Sequence, residues 1–131
     1  LLQMAGVPYV GSHVAESAVS MDKTLTKLVV DNAGIPQAAW QLVRSVDAEE
    51  RMEKVLDSLE NRFRYPMFVK PCCAGSSNGA SKANNKKELG FAIMEAFQWD
   101  DKVLIEKSIN DTNSIKAKNS LRNLQAEITE L

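Results

Sequence analysis

Tyr65-Pro66-Met67-Phe68-Val69-Lys70-Pro71-Cys72-Cys73-Ala74-Gly75-Ser76-Ser77-Asn78-Gly79 decides the architecture of this chain. Met67 to Lys70 is short, apolar and bounded by prolines, which predicts a strand that Pro71 stops. Small residues follow, with two glycines and two serines inside five positions. Such a loop brings backbone N–H groups and hydroxyls to one place, and glycine lets the backbone approach a ligand closely or take positive φ. An anion suits it; so does a plain hairpin turn. No Lys-Ser/Thr pair follows the last glycine, and the spacing is not GxGxxG, so the two common phosphate-loop patterns do not apply.

Outward from this loop the pattern alternates. Ser81 to Ala83 reads as a strand. Asn85 and Glu88 cap a helix whose inner face carries Leu89, Ile93 and Phe97. Asp100 and Asp101 turn the chain into a strand from Val103 to Glu106. On the other side, a capping box at Asp47 and Glu50 starts a helix running to about Asn61, with Met52, Val55, Leu56 and Leu59 on one face. Ala38 to Val43 precedes it as a strand. From Met21 a helix places Leu25, Leu28 and Val29 in line, and Gly34 and Pro36 end it. Gly6, Pro8 and Gly11 break the start, leaving Tyr9 and Val10 as a short strand. The order predicts an α+β fold: a small, mainly antiparallel sheet with helices packed on one face. After polar Asn110 to Asn113, Leu121, Leu124, Ile128 and Leu131 recur at helical spacing. They predict an extra C-terminal helix, folded onto the domain or pairing with a second copy as a homodimer.

The 131 residues suit one domain; 44% are hydrophobic and 25% charged, with a formal net charge of −1, which gives no reason for a nucleic-acid partner or an anionic membrane surface. No apolar run approaches the roughly 20 residues a membrane span needs. The apolar start lacks a basic leader and does not read as a signal peptide. Cys72 and Cys73 are adjacent and ill-suited to a disulfide, so a reducing, cytoplasmic setting is expected. One histidine and no CxxC pair give no zinc pattern. The absence of an initiator methionine suggests a piece of a longer chain.

Three further residues attract attention. Lys70 ends an apolar strand five positions before the loop glycine. A phosphate or a nucleotide base would satisfy its charge there, as would snorkelling from a strand edge. Lys23, near a helix start, is unfavourable to the helix dipole unless it reaches an anion; solvation is the plainer alternative. Glu106, at a strand end, can accept from an exocyclic amine or hydroxyl, or pair with Lys107 or Lys102.

In order and spacing, these segments resemble the D-alanine–D-alanine ligase family, including its D-alanine–D-serine and D-alanine–D-lactate relatives. The matching stretches are Gly6-Val7-Pro8-Tyr9-Val10-Gly11-Ser12, Ser20-Met21-Asp22-Lys23 with Lys27, and Ala33-Gly34-Ile35-Pro36. They continue with Tyr65 to Pro71, Gly75 to Gly79 with Ser81-Lys82, and Val103-Leu104-Ile105-Glu106-Lys107. The resemblance implies the central subdomain of an ATP-grasp fold, binding ATP. By position, Lys23 and Lys70 match nucleotide-holding lysines, the first toward phosphate and the second nearer adenine. Gly75, Ser76, Ser77 and Gly79 match the loop that closes over the phosphates, with Ser76 and Ser77 in the catalytic role. Glu106 and the backbone of Lys107, Ser108 and Ile109 match the adenine hinge.

The resemblance further implies ATP-dependent phosphorylation of one D-alanine and attack by a second D-amino acid, feeding peptidoglycan. It divides the chain into residues 1–19, closing a missing N-terminal domain; residues 20–109, the nucleotide-binding subdomain; and a non-matching tail, residues 110–131. The family's ribose-binding glutamate falls on Asn113, and a family glycine falls on His13. The magnesium ligands and the D-alanine-binding parts belong to segments outside this sequence, so the piece is expected to be inactive alone. The alternatives are a non-catalytic nucleotide-binding or dimerisation module, and another ATP-grasp enzyme such as a carboxylase or purine-synthesis ligase. The Tyr9 and Met21-Asp22-Lys23 segments argue against the latter.

Overall fold

The computed structural model describes residues 1–75 and 77–109. The expected tail helix, its homodimer and the ribose position at Asn113 lie outside the described residues, as does Ser76. Eight elements run in order: α1 (Val14–Met21), α2 (Lys23–Asn32), β1 (Trp40–Arg44), α3 (Ser45–Arg62), β2 (Met67–Pro71), β3 (Ser81–Ala83), α4 (Lys86–Ala96) and β4 (Lys102–Lys107). The four strands form one antiparallel sheet in the order β1-β4-β2-β3. The fold is α+β, as the alternation of patterns predicts.

One face of the sheet carries Val43, Met67, Val69, Ala83, Val103 and Ile105. Against it pack Ala48, Leu56 and Leu59 of α3, Phe63, and Leu89, Ala92, Ile93 and Ala96 of α4. Strand alternation sends the intervening residues to the second face: Phe68 and Lys70 from β2, and Lys102, Leu104 and Glu106 from β4. There α2 and its N-cap Asp22 approach, pairing Asp22 with Lys102 and Lys27 with Glu106. The buried Thr24 Oγ1 lies 3.0 Å from Cys72 Sγ. Helices α3 and α4 thus cover the apolar face, while α2 brings charge to the other.

Local chemistry accounts for most boundaries. Asn85 caps α4 by accepting from the Glu88 N–H at 3.0 Å, and the Glu88 carboxylate reaches back to the Asn84 N–H at 2.8 Å. Helix α2 ends in a Schellman turn: the Ile35 N–H donates to Val30 O and the Gly34 N–H to Asp31 O, with Gly34 at φ 69°. Three expectations are corrected. Tyr9 and Val10 form no strand; the segment turns between Gly6 and Gly11 and enters α1, and the Tyr9 hydroxyl meets Gln3 and His13 instead. The Asp47–Glu50 capping box is not made: α3 begins at Ser45 after Arg44, so Asp47 lies in the first turn, where its charge still favours the helix dipole. Pro71 closes β2 from within the strand, opposite Val103, a position where proline needs no further ladder partner.

Candidate functional site

The second face of the sheet is where the candidate residues meet. Register places Phe68 opposite Glu106 and Lys70 opposite Leu104, making Lys70 and Glu106 diagonal neighbours on one face. Their side chains form an ion pair, and Lys27 Nζ reaches the other carboxylate oxygen, Oε1, at 2.5 Å. Lys70 also lies 5.8 Å from the centroid of the Phe68 ring. Glu106 is buried to 8% exposure. Burial pushes its carboxyl pKa up, but the Lys27 and Lys70 ammonium groups more than offset this and hold it below the usual carboxylate range. The expected partners Lys107 and Lys102 are not the ones used; alternation turns Lys107 to the other face, and Lys102 is bound to Asp22.

Asp22 is the N-cap of α2. Its Oδ1 accepts from the N–H of Thr24 at 2.8 Å and Leu25 at 3.2 Å, and Oδ2 pairs with Lys102. Burial raises its carboxyl pKa; the Lys102 hydrogen bond and the two backbone donors outweigh that and lower it. Lys23 follows immediately. Its backbone N–H donates to Cys72 O at 3.0 Å, and its ammonium donates to Cys72 O at 3.3 Å and Ala74 O at 2.8 Å. The start of α2 is thereby fastened to the root of the glycine-rich loop.

The loop itself is shaped by two turns. The Asn78 N–H donates to Gly75 O and the Ala80 N–H to Ser77 O, each at 3.1 Å, with Ser77 at φ 61° and Gly79 at φ 66°. Gly79 is fixed by sterics as well, since a Cβ there would lie 2.5 Å from Trp99 Cδ1 and 2.9 Å from Pro71 Cγ. Gly75 meets nothing within 4 Å, so its small size is not demanded by packing. At the loop's root, Cys73 N–H donates to Asp100 Oδ2 at 2.6 Å. Cys72 is buried and Cys73 exposed, neither in a disulfide among the described residues; burial is the first cause that raises both thiols.

Lys23, Lys70, Gly75 and Ser77 line one hollow of about 400 Å³, with Ser20, Met21, Cys73 and Asn78 among the other walls. Glu106 lies behind Lys70 rather than in the wall. Gly79 sits under Trp99. The hinge residues Lys107, Ser108 and Ile109 lie beyond the hollow; the Lys107 N–H is held by Ala39 O at 2.9 Å and the Ser108 N–H by Pro66 O at 3.3 Å, so these two donors are engaged within the fold. Lys27 and Lys70 share the Glu106 carboxylate, and the Lys23 ammonium rests on the carbonyls of Cys72 and Ala74; cations beside a glycine-rich loop suit an anion. Among the described residues no cluster of three or more His, Cys, Asp or Glu side chains is placed to hold a metal. No described helix is long and apolar enough to cross a membrane.

Sequence reasoning assigned no role to Lys27 or Asp22, and offered Lys102 only as a partner for Glu106. For Lys27 a signal existed: it stands four residues after Lys23 and shares its helix face.

Comparison with known proteins agrees with this fold. A family model described as the D-ala D-ala ligase C-terminus matches residues 29–120, running on past Ile109. Over 110 residues the chain is 48% identical to the D-alanine–D-alanine ligase of Acetivibrio thermocellus, covering 84% of this chain and 29% of that protein. Against the D-alanine–D-alanine ligase of Geobacillus kaustophilus the identity is 45%, over 83% of this chain and 30% of that one. Among solved structures, the D-alanine-D-alanine ligase of Coxiella burnetii superposes with a TM-score of 0.75 at 35% identity, covering 83% of this chain and 32% of that one. The VanG D-Ala:D-Ser ligase of Enterococcus faecalis does so with a TM-score of 0.74 at 37% identity, over 82% and 30%. The chain therefore spans about 30% of the length of the curated relatives it matches. With the fold, the ordered motifs and the family match in agreement, the chain belongs to the D-alanine–D-alanine ligase family, within the region described as its C-terminus.

Proposed function

We propose that this chain is the nucleotide-holding part of an ATP-dependent D-alanine–D-alanine ligase and does not complete the reaction alone. The observation that carries this reading is the hollow shared by Lys23, Lys70, Gly75 and Ser77. Lys23 serves phosphate, and Lys70 stands between the phosphates and the base. Gly75, Ser76, Ser77 and Gly79 form the loop over the terminal phosphates, with Ser76 and Ser77 in catalytic roles. Glu106 and the strand end at Lys107, Ser108 and Ile109 form the side that meets adenine. Residues 1–19 close a preceding domain and residues 20–109 make up the nucleotide-binding subdomain.

ATP supplies the phosphoryl group that activates a carboxylate, and fixed cations with backbone donors stabilise the charge of that transfer. The carboxylate is that of D-alanine, and the amine of a second D-amino acid displaces phosphate to give the dipeptide used in peptidoglycan. Magnesium is assigned to no residue here, because its carboxylate ligands are not gathered among the described residues.

The test is a chimera in which this chain replaces the matching segment of the Acetivibrio thermocellus ligase. D-alanine-dependent phosphate release is expected from the chimera, and none from the chain alone. A folded chimera that binds D-alanine yet releases no phosphate would contradict the proposal.

A further inference from the structure

Of the lysines on the second face, Lys23 and Lys70 line the hollow; Lys27 does not. Its side chain is 16% exposed and ends on Glu106 Oε1, while Lys70 takes Oε2. Of the neighbouring cations, Lys102 is committed to Asp22 and Lys23 to the carbonyls of Cys72 and Ala74, and the exposed Lys82 stands on β3, beyond Phe68 from Glu106. Across the ladder Glu106 faces Trp40 and Phe68, neither of them charged. A salt bridge between Lys70 and Glu106 alone would sum to zero charge at the wall of the hollow. With Lys27 added, the trio carries one net positive charge.

We propose that Lys27 is a positioning residue: by taking one oxygen of Glu106 it prevents that carboxylate from neutralising Lys70, which is left to present net positive charge to a phosphate in the hollow. This rests on the nucleotide reading above. Glu106 is then both a tether that fixes the Lys70 ammonium and a charge that must itself be balanced. Lys27 supplies the balance from α2, without touching the nucleotide. The lowered carboxyl of Glu106 accords with two cations acting on it together.

The probe is inorganic tripolyphosphate, which has no base, so any contact of Glu106 with adenine does not enter. Its affinity for the full chain is compared by calorimetry among the wild type, Lys27→Met, Lys27→Arg and the double variant Lys27→Met/Glu106→Gln. Removing one unit charge at an effective dielectric near 20 weakens binding by about tenfold. Lys27→Met is expected to show that loss, and Lys27→Arg to stay near wild type. The double variant is expected to recover most of the affinity, because its charge balance matches the wild type. In Lys27→Met the carboxyl ¹³C signal of Glu106 is expected to titrate at higher pH than in the wild type.

Lys27→Met binding as tightly as wild type overturns the proposal while leaving the nucleotide reading standing. A double variant as weak as Lys27→Met also overturns it, since packing rather than charge would then be at work. If Lys27→Met does not fold, Glu106→Gln and the double variant decide the matter. With the carboxylate neutral in both, the single variant is expected to bind tripolyphosphate more tightly, and equal affinities overturn the proposal. A wild type that takes up neither tripolyphosphate nor an ATP analogue removes the nucleotide reading first, and this inference with it.

Discussion

Asp22 shows how much one residue carries. It caps α2 through two backbone N–H groups and neutralises Lys102. Replacing it by alanine removes the cap and leaves a half-buried ammonium without its partner. Asp22→Ala is expected to cost about 1–2 kcal/mol in urea unfolding; a change within error would mean the cap is not formed in solution. The carboxyls of Asp22 and Glu106 are both held below their ordinary range in the folded chain. For such groups the unfolded state binds the proton first as pH falls. Their stabilisation is therefore complete above the unfolded carboxylate range, near pH 4, and is lost as pH drops through the folded values. Unfolding midpoints are expected to fall below about pH 4 by less in the double variant Asp22→Asn/Glu106→Gln than in the wild type. The loop glycines separate in the same way. Gly79→Ala drives a Cβ into Trp99 and Pro71 at positive φ and is expected to cost about 1–3 kcal/mol, with a shift in tryptophan emission. Gly75→Ala meets nothing and is expected to change stability by less than about 0.5 kcal/mol. A comparable loss at both positions would contradict the loop geometry.

At the scale of elements, α2 matters because it aims Lys23 and Lys27 at the second face. Its length is set by the turn at Gly34, whose φ of 69° suits glycine. Gly34→Ala is expected to lower stability by about 1 kcal/mol, read as a drop in the urea midpoint at constant slope. In the core, Leu59→Ala, at a fully buried position of α3, is expected to cost about 2–5 kcal/mol. These helices were legible to different degrees, for physical reasons. Helix α4 announces itself through the Asn85 cap and a strongly buried line at Leu89 and Ile93. Helix α1 has neither a side-chain cap nor a buried residue, so no capping residue marks its start in the sequence. In α3 the pattern from Met52 to Leu59 marked the helix. The departure of Arg51 from helical angles (φ −146°, ψ 39°) is a backbone event that no side-chain pattern records. The line Leu25, Leu28 and Val29 identified α2 correctly, yet these side chains stand 42%, 51% and 53% exposed. Spacing reveals the helix but not which of its faces is covered. Lys70 and Glu106 were recognisable as candidates from their places at strand ends. Their pairing through Lys27 was not, because it depends on strand register and on α2 crossing to the second face.

For the molecule as a whole, the two faces of the sheet divide the labour. The apolar face with α3 and α4 holds the fold, and the charged face with α2 gathers cations around the loop. In the proposed reading this charged face is one wall of a larger site, which agrees with a chain that spans about 30% of its relatives' length. Whether that wall takes nucleotide is the deciding question. The direct measurement is calorimetric titration of a nonhydrolysable ATP analogue into the wild type, Lys23→Ala and Lys70→Ala. A charge-assisted hydrogen bond is worth about 1.5–3 kcal/mol, so each variant is expected to bind at least about tenfold more weakly than the wild type. Equal affinities for all three chains would contradict the assignment of the hollow to the nucleotide.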